Sequence, residues 1–94
     1  MKIPKTVKIG GHIYDVAIQA REKENGVNKL GSSSVYQNKI WLTNEQPQSQ
    51  MESTFFHEII EVISALNKLE LSEDKICILE NQLYQVLKDN NLLK

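Results

Sequence analysis

The chain has few of the residues that mark specialised protein classes. Its 94 residues include one cysteine, two prolines and four glycines, and aromatic residues make up 6%. A single cysteine, Cys77, cannot form an internal disulfide, which excludes a disulfide-stapled secreted scaffold. The low proline and glycine content argues against a linker-rich or disordered chain. We therefore expect a single domain that covers residues 1–94.

An excess of charge of one sign and long apolar runs are lacking as well. Eleven Lys and Arg residues stand against twelve Asp and Glu residues, for a formal net charge of −1. Because no basic excess is available to neutralise phosphates, we expect no nucleic-acid partner. No apolar run approaches the roughly 20 residues that span a bilayer. The first residues also lack the apolar stretch of a signal peptide. We expect a cytoplasmic protein with no membrane partner.

The pattern of the first half predicts β-strands between residues 5 and 43. Apolar and polar residues alternate over 6–9 and 12–18, on either side of the pair Gly10-Gly11. Glycine tolerates the positive φ of tight turns, so this pattern predicts a hairpin. A polar segment, 21–30, is typical of a loop, and two further β-prone runs, 33–37 and 39–43, flank Asn38.

The second half changes to helical spacing. Ser49 and Glu52 have the spacing of a capping box, and apolar residues recur from Met51 onward, which predicts a helix over about 50–68. A second helix is predicted over about 73–90, with Ser72 as N-cap. Its apolar stripe consists of Ile76, Leu79, Leu83, Val86 and Leu87. The predicted class is α+β, with a small antiparallel sheet of three to four strands packed against the two helices.

The first helix carries the segment His57-Glu58-Ile59-Ile60-Glu61. Residues four apart lie one turn apart on the same helix face, so His57 and Glu61 could bind one metal ion, and Glu58 could activate a water molecule there. The alternative interpretation is the solvated polar face of an amphipathic helix. On the second helix, Glu80 lies at the edge of the apolar stripe, from where it could reach the first helix; the alternative is a boundary residue with a wet carboxylate. A three-ligand site requires Glu61 and Glu80 oxygens within about 5 Å of a His57 ring nitrogen.

Three segments carry a resemblance to a known family: Pro47-Gln-Ser-Gln, Thr54-Phe-Phe-His-Glu-Ile-Ile-Glu and Leu83-Tyr-Gln-Val-Leu-Lys-Asp-Asn. Together they resemble short phage and prophage proteins related to minimal zinc metallopeptidases, with a zincin-like fold and an H-E-x-x-H or H-E-x-x-E helix. The resemblance implies a metallopeptidase-like protein in the cytoplasm of a bacterial host. It also implies that the strand 39–43 is the edge strand that aligns an extended peptide substrate.

Carried over to this chain, the resemblance implies metal ligands at His57, Glu61 and Glu80 and a catalytic base at Glu58. Glu61 stands where the family also has a second histidine, so the ligand set is richer in oxygen. We expect a divalent metal, zinc in the first place, with manganese or iron as alternatives. The carboxylate also makes the bound metal a weaker Lewis acid and hence a weaker activator of water.

Two other functions fit the same residues. The chain could be a non-enzymatic phage interaction protein that keeps the scaffold, binds no metal and recognises a host protein, in which case His57, Glu58 and Glu61 are a surface cluster. It could also be a nucleotide pyrophosphohydrolase with a magnesium cluster, although such enzymes are all-helical bundles. The carboxylates of that cluster would be Glu58, Glu61, Glu70, Glu73 and Asp74.

Overall fold

Two β-hairpins form the sheet. In a computed structural model, which describes residues 1–20, 23–24 and 27–93, β1 (Thr6–Ile9) pairs antiparallel with β2 (His12–Gln19). A short separate hairpin of β3 (Lys23–Glu24) and β4 (Val27–Asn28) follows. Then β5 (Gly31–Ser34) pairs antiparallel with β6 (Lys39–Thr43). The predicted loop 21–30 thus contains the β3–β4 hairpin, while its residues 21, 22, 25 and 26 lie outside the described ranges.

The two hairpins join through a parallel contact. β2 pairs parallel with β6, so the strand order is β1-β2-β6-β5. The α+β class is confirmed, with a mixed sheet in place of an antiparallel one. β6 lies in the interior of this sheet, and the expectation that residues 39–43 form an edge strand is wrong. The edge strands are β1 and β5, and β5 lies against α1.

The predicted glycine turn is present. Gly10 and Gly11 both have positive φ, 59° and 82°, and they connect β1 to β2 in the tight turn that the right-handed twist of a hairpin favours. The hairpin delivers Ile9 and Tyr14 to the core, where both are buried. The core cluster consists of Ile9, Tyr14, Ile40, Leu42, Met51, Phe55 and Val62.

The two helices are α1 (Gln48–Asn67) and α2 (Glu73–Asp89). Ser72 caps α2, since its side chain accepts a hydrogen bond from the backbone N–H of Lys75, as expected. The capping box of α1 is wrong: the N-cap is Pro47, with no side-chain cap. Glu52 is buried and accepts hydrogen bonds from the hydroxyl of Tyr84 at 3.0 Å and from Nε2 of Gln48 at 3.1 Å, so its carboxylate bonds to side chains and does not cap the backbone of the helix start.

α1 lies between the sheet and α2. It contacts β1, β5 and β6 on one side and α2 on the other, whereas α2 contacts no strand among the described residues. The expected apolar stripe of α2 is therefore only partly buried: Ile76 is buried, but Leu79, Leu83 and Val86 are exposed. Helical periodicity places these residues on one stripe, but it does not say which side faces α1. Within the described residues, no helix is both long and apolar enough to cross a membrane.

Candidate metal centre

His57 is held by three carboxylates. Its Nδ1 lies 2.8 Å from Oε1 of Glu80, and its Nε2 lies 3.0 Å from Oε1 of Glu73 and 3.3 Å from Oε1 of Glu61. Glu61 comes from α1, and Glu73 and Glu80 come from α2. The predicted approach of Glu61 and Glu80 to His57 is confirmed, but the two carboxylates contact opposite nitrogens of the ring.

The side of α1 that carries His57 is not solvated. Because α1 is covered on two sides, polar residues of this helix are buried, and the side chain of His57 is only 13% accessible. The interpretation as an ordinary wet polar face is therefore wrong. The buried polar residues of α1 are Glu52, Ser53, Thr54, Glu58 and Ser64.

Glu80 uses both of its carboxylate oxygens within the protein. Oε2 accepts a hydrogen bond from the hydroxyl of Ser53, and Oε1 accepts one from Nδ1 of His57. In the neutral form of His57, this arrangement keeps the proton on Nδ1 and turns Nε2 toward Glu61 and Glu73. A carboxylate on the far nitrogen of a histidine is the usual outer partner of a metal-binding imidazole.

Glu58 is the most unusual acid of the site. Its residue is 3% exposed, and Oε1 has no hydrogen-bond partner within the described part of the chain. Burial raises the pKa of the Glu58 carboxyl to about 9, and the charge of Glu61 adds to this shift. A hydrogen bond from Ser33 of the edge strand opposes it. Glu58 is therefore neutral at pH 7 in the absence of a cation.

The pKa of His57 is shifted in the same direction. Burial lowers it, but the hydrogen bond to Glu80 and the charges of Glu61 and Glu73 outweigh burial, so the pKa is raised above its usual value of 6.5. A protonated His57 offsets part of the negative charge of the carboxylates around it, and a neutral Glu58 adds no further negative charge.

Helix α2 presents three potential ligands at helical spacing. Glu73, Cys77 and Glu80 occupy positions i, i+4 and i+7, which share one helix face. From the sequence, Glu73 was expected only in the alternative magnesium cluster, and Cys77 was considered only for its inability to form an internal disulfide. The helical spacing of Glu73 and Cys77 relative to Glu80 was the feature of the sequence that could have identified them as potential ligands. Two groups have ligand atoms within 4.8 Å of one another: His57, Glu58 and Glu61, and His57, Cys77 and Glu80.

His57, Glu61 and Glu73 line a cavity of about 550 Å³ between the helices and the edge strand β5. Its lining comes from the segment before β5, with Lys29 and Leu30; from β5, with Gly31, Ser32 and Ser33; from α1, with Thr54, His57, Glu58 and Glu61; and from α2, with Glu73 and Cys77.

Gly31 allows the edge strand to approach α1 closely. A Cβ atom at this position would lie 2.8 Å from Cγ2 of Thr54 and 3.0 Å from the carbonyl oxygen of Trp41. It would also lie 3.3 Å from Oε2 of Glu58. The missing side chain therefore sets the width of the cavity beside the acid.

Comparisons with family models, with curated proteins and with solved structures find no significant match for this chain. The assignment of a function therefore depends on the residues of the cavity.

Proposed function

We propose that this chain binds one divalent metal ion through Nε2 of His57 together with Glu61 and Glu73, and that it is a metallopeptidase-like hydrolase of phage or prophage origin that acts in the cytoplasm of its host. The observation that carries the proposal is the contact of one imidazole nitrogen with carboxylates from two different helices. A cation that binds there neutralises charge that the fold has concentrated.

The distances fit a shared metal ion. Two tetrahedral ligands at about 2.1 Å from one zinc ion lie about 3.4 Å from each other. Glu73 and Glu61 lie 3.0 and 3.3 Å from Nε2 of His57, close to this spacing. In this assignment Glu80, which was first considered as the third ligand, is the residue that orients His57. Its two oxygens already have hydrogen-bond partners, whereas Glu73 is largely exposed to the cavity side of α2.

One imidazole and two carboxylates form a mixed nitrogen and oxygen set. Zinc accepts such a set, as do manganese and iron, so the ligands are compatible with all three ions. We propose zinc as the resident ion.

The residues around the metal site fit the hydrolysis of a peptide. When bound, the metal supplies Lewis acidity toward a carbonyl group and a water molecule. Glu58 would take a proton from that water and pass it to the leaving amine. Burial raises the pKa of its carboxyl, but a nearby cation would lower this pKa again, so that Glu58 could act as a base. Among the described residues no strand pairs with the outer side of β5, so its backbone could offer hydrogen bonds to an extended segment of chain.

Metal binding and hydrolysis are tested in one set of variants. Isothermal titration with zinc and manganese is performed on the wild-type chain and on His57→Ala, Glu61→Gln and Glu73→Gln. Glu70→Gln is the matched control, because this exposed glutamate lies in the connection between the helices. We expect one metal per chain, an affinity loss of at least about 100-fold for His57→Ala, and about 10- to 100-fold losses for the two Gln variants.

Hydrolysis is followed separately with a library of fluorogenic peptides. Glu58→Gln should keep the metal and lose the activity. The metal site is disproved if wild-type and Glu70→Gln bind no stoichiometric metal, or if Glu73→Gln binds as well as Glu70→Gln. Equal activity of Glu58→Gln and wild-type would remove Glu58 from the mechanism.

A second function is favoured by a different observation. Leu79, Leu83 and Val86 form an apolar stripe on α2 that no described element covers. A host protein bound there, on a scaffold without catalysis, would explain this exposure. This alternative predicts a chain that binds no metal and hydrolyses no peptide, while Leu83→Glu abolishes host-protein binding. The pyrophosphohydrolase class is not supported, because the described residues form a mixed sheet with two helices and not an all-helical bundle.

A further inference from the structure

We propose that the thiolate of Cys77 is the fourth protein ligand of this metal ion and the ligand that makes the site selective for zinc. This inference depends on the proposed metal site and extends it, since it concerns a residue that neither the helix pattern nor the carboxylates around His57 require.

Cys77 lies one helical turn after Glu73, on the side of α2 that faces α1. Its Sγ is 3.9 Å from Oε1 of Glu73, and the same oxygen is 3.0 Å from Nε2 of His57. Sγ also belongs to a group with ligand atoms of His57 and Glu80 in which all separations are within 4.8 Å. A cation that binds between Nε2 and Glu73 is therefore within reach of the sulfur atom after a rotation about the Cys77 side chain.

A second observation indicates that this cavity accommodates a cation. Glu58 lines the cavity, and its Oε1 is buried and has no hydrogen-bond partner among the described residues. A buried polar atom without a partner costs free energy unless a ligand satisfies it. Because Glu58 of α1 and Cys77 of α2 line the same cavity, one ion can contact residues of both helices.

A thiolate changes the metal preference of the site. Imidazole and carboxylates alone are acceptable to manganese and iron, whereas a soft sulfur ligand favours zinc over these harder ions. The thiol releases its proton to solvent as the bond between sulfur and metal forms. Because zinc can expand to five ligands, a fourth protein ligand leaves room for a water molecule or a carbonyl group.

Cobalt(II) is a suitable probe because sulfur ligation is visible in its spectrum. The reduced wild-type chain and Cys77→Ser are each loaded with one equivalent of cobalt. We expect visible d–d bands in both proteins, and an intense thiolate-to-cobalt charge-transfer band in the near ultraviolet only in the wild type. Zinc affinity should fall at least about tenfold in Cys77→Ser, with manganese affinity changed by less than about threefold.

Alkylation provides a measurement that needs no variant. Cys77 is the only cysteine of the chain, so iodoacetamide reports on this thiol alone. We expect one equivalent of zinc to slow the alkylation of Cys77 at least tenfold. Bound cobalt without a charge-transfer band, or alkylation unaffected by bound zinc, would overturn the role of Cys77 and leave the proposed metal site standing. Absence of metal binding in both proteins would overturn the two together.

Discussion

The two helices depart from the usual distribution of polar and apolar residues in opposite ways. α1 buries polar side chains, including Glu58 and Ser64, whereas α2 exposes Leu79, Leu83 and Val86. The cause is their position: α1 is covered by the sheet and by α2, while α2 contacts α1 alone among the described elements. Burial of a charged side chain costs free energy unless the charge is paired or coordinates a metal ion. The proposed cation site around His57 would meet this condition for the carboxylates of α1. The exposed stripe of α2 has no role in that site.

The difference between a buried and an exposed leucine gives the largest expected effect. Leu42 of β6 is fully buried, and Leu42→Ala should lower the free energy of unfolding by about 2–5 kcal/mol. Urea denaturation monitored by circular dichroism measures this loss. A loss below about 1 kcal/mol would contradict the central place of β6 in the core.

The pH dependence of stability tests the burial of Glu58, the acid that distinguishes α1 from α2. The ordinary pKa of Glu58 is 4.5 and its folded-state pKa is about 9, so the folded chain holds a proton that the unfolded chain releases between these values. The contribution of this carboxyl is fully present below pH 4.5 and is lost as the pH rises toward 9. The raised pKa of His57 acts in the same direction above 6.5.

Glu58→Gln removes the ionisable group and keeps its shape. At pH 8 and without metal, this variant should be about 1–3 kcal/mol more stable than the wild type, because ionisation of Glu58 stabilises the unfolded wild-type chain and Gln has no proton to release. At pH 4.5 the two proteins should have nearly equal stability. Urea titrations at the two pH values measure the difference, and an equal gain at both would show that ionisation is not its cause.

The orienting role of Glu80 predicts an effect on metal affinity. Glu80→Gln weakens the hydrogen bond to Nδ1 of His57 and should lower zinc affinity by about 10- to 100-fold, as measured by competition with a chromophoric chelator. Ser53→Ala, which removes the hydroxyl that holds Oε2 of Glu80, should have a smaller effect of the same sign. If Glu80→Gln abolished binding as fully as His57→Ala does, Glu80 would be a direct ligand and the assignment of Glu73 would be wrong.

The smallest effect is expected on the exposed stripe. Leu83 is 42% exposed, and Leu83→Ala should change the free energy of unfolding by less than about 0.5 kcal/mol. The same denaturation experiment that measures Leu42→Ala provides the value. A loss above about 2 kcal/mol would show that the stripe is covered in solution.

Local features were predictable from the sequence where neighbouring residues decide the structure. Gly10-Gly11 makes the first turn and Ser72 caps α2, because backbone conformation and a side-chain oxygen act within a few residues. The predicted capping box was wrong at Glu52, since this carboxylate bonds to the side chains of Gln48 and of Tyr84, which is 32 residues away along the chain.

Contacts between elements far apart in the sequence could not be predicted from the pattern of residues along the chain. The parallel pairing of β2 with β6 depends on how two hairpins assemble, and no run of residues reports it. Likewise, the face of α1 that bears His57 was predictable, but the identity of the carboxylate at Nε2 was not. That identity depends on how α2 lies against α1, which brings Glu73 to Nε2 and places Glu80 at Nδ1.

The helices and the strand β5, which form the two walls of the cavity, determine different properties of the site. The residues around His57 belong to the helices, whereas the width of the cavity is set by the strand at a position where a single methyl group would meet Thr54 and the backbone of Trp41. An alanine there would press β5 away from α1 without touching His57, Glu61 or Glu73. The proposed metal ligands and the strand that sets the width of the cavity thus lie in separate halves of the sequence, and Glu58, whose Oε2 would lie 3.3 Å from a Cβ atom at position 31, is the residue at which the two meet.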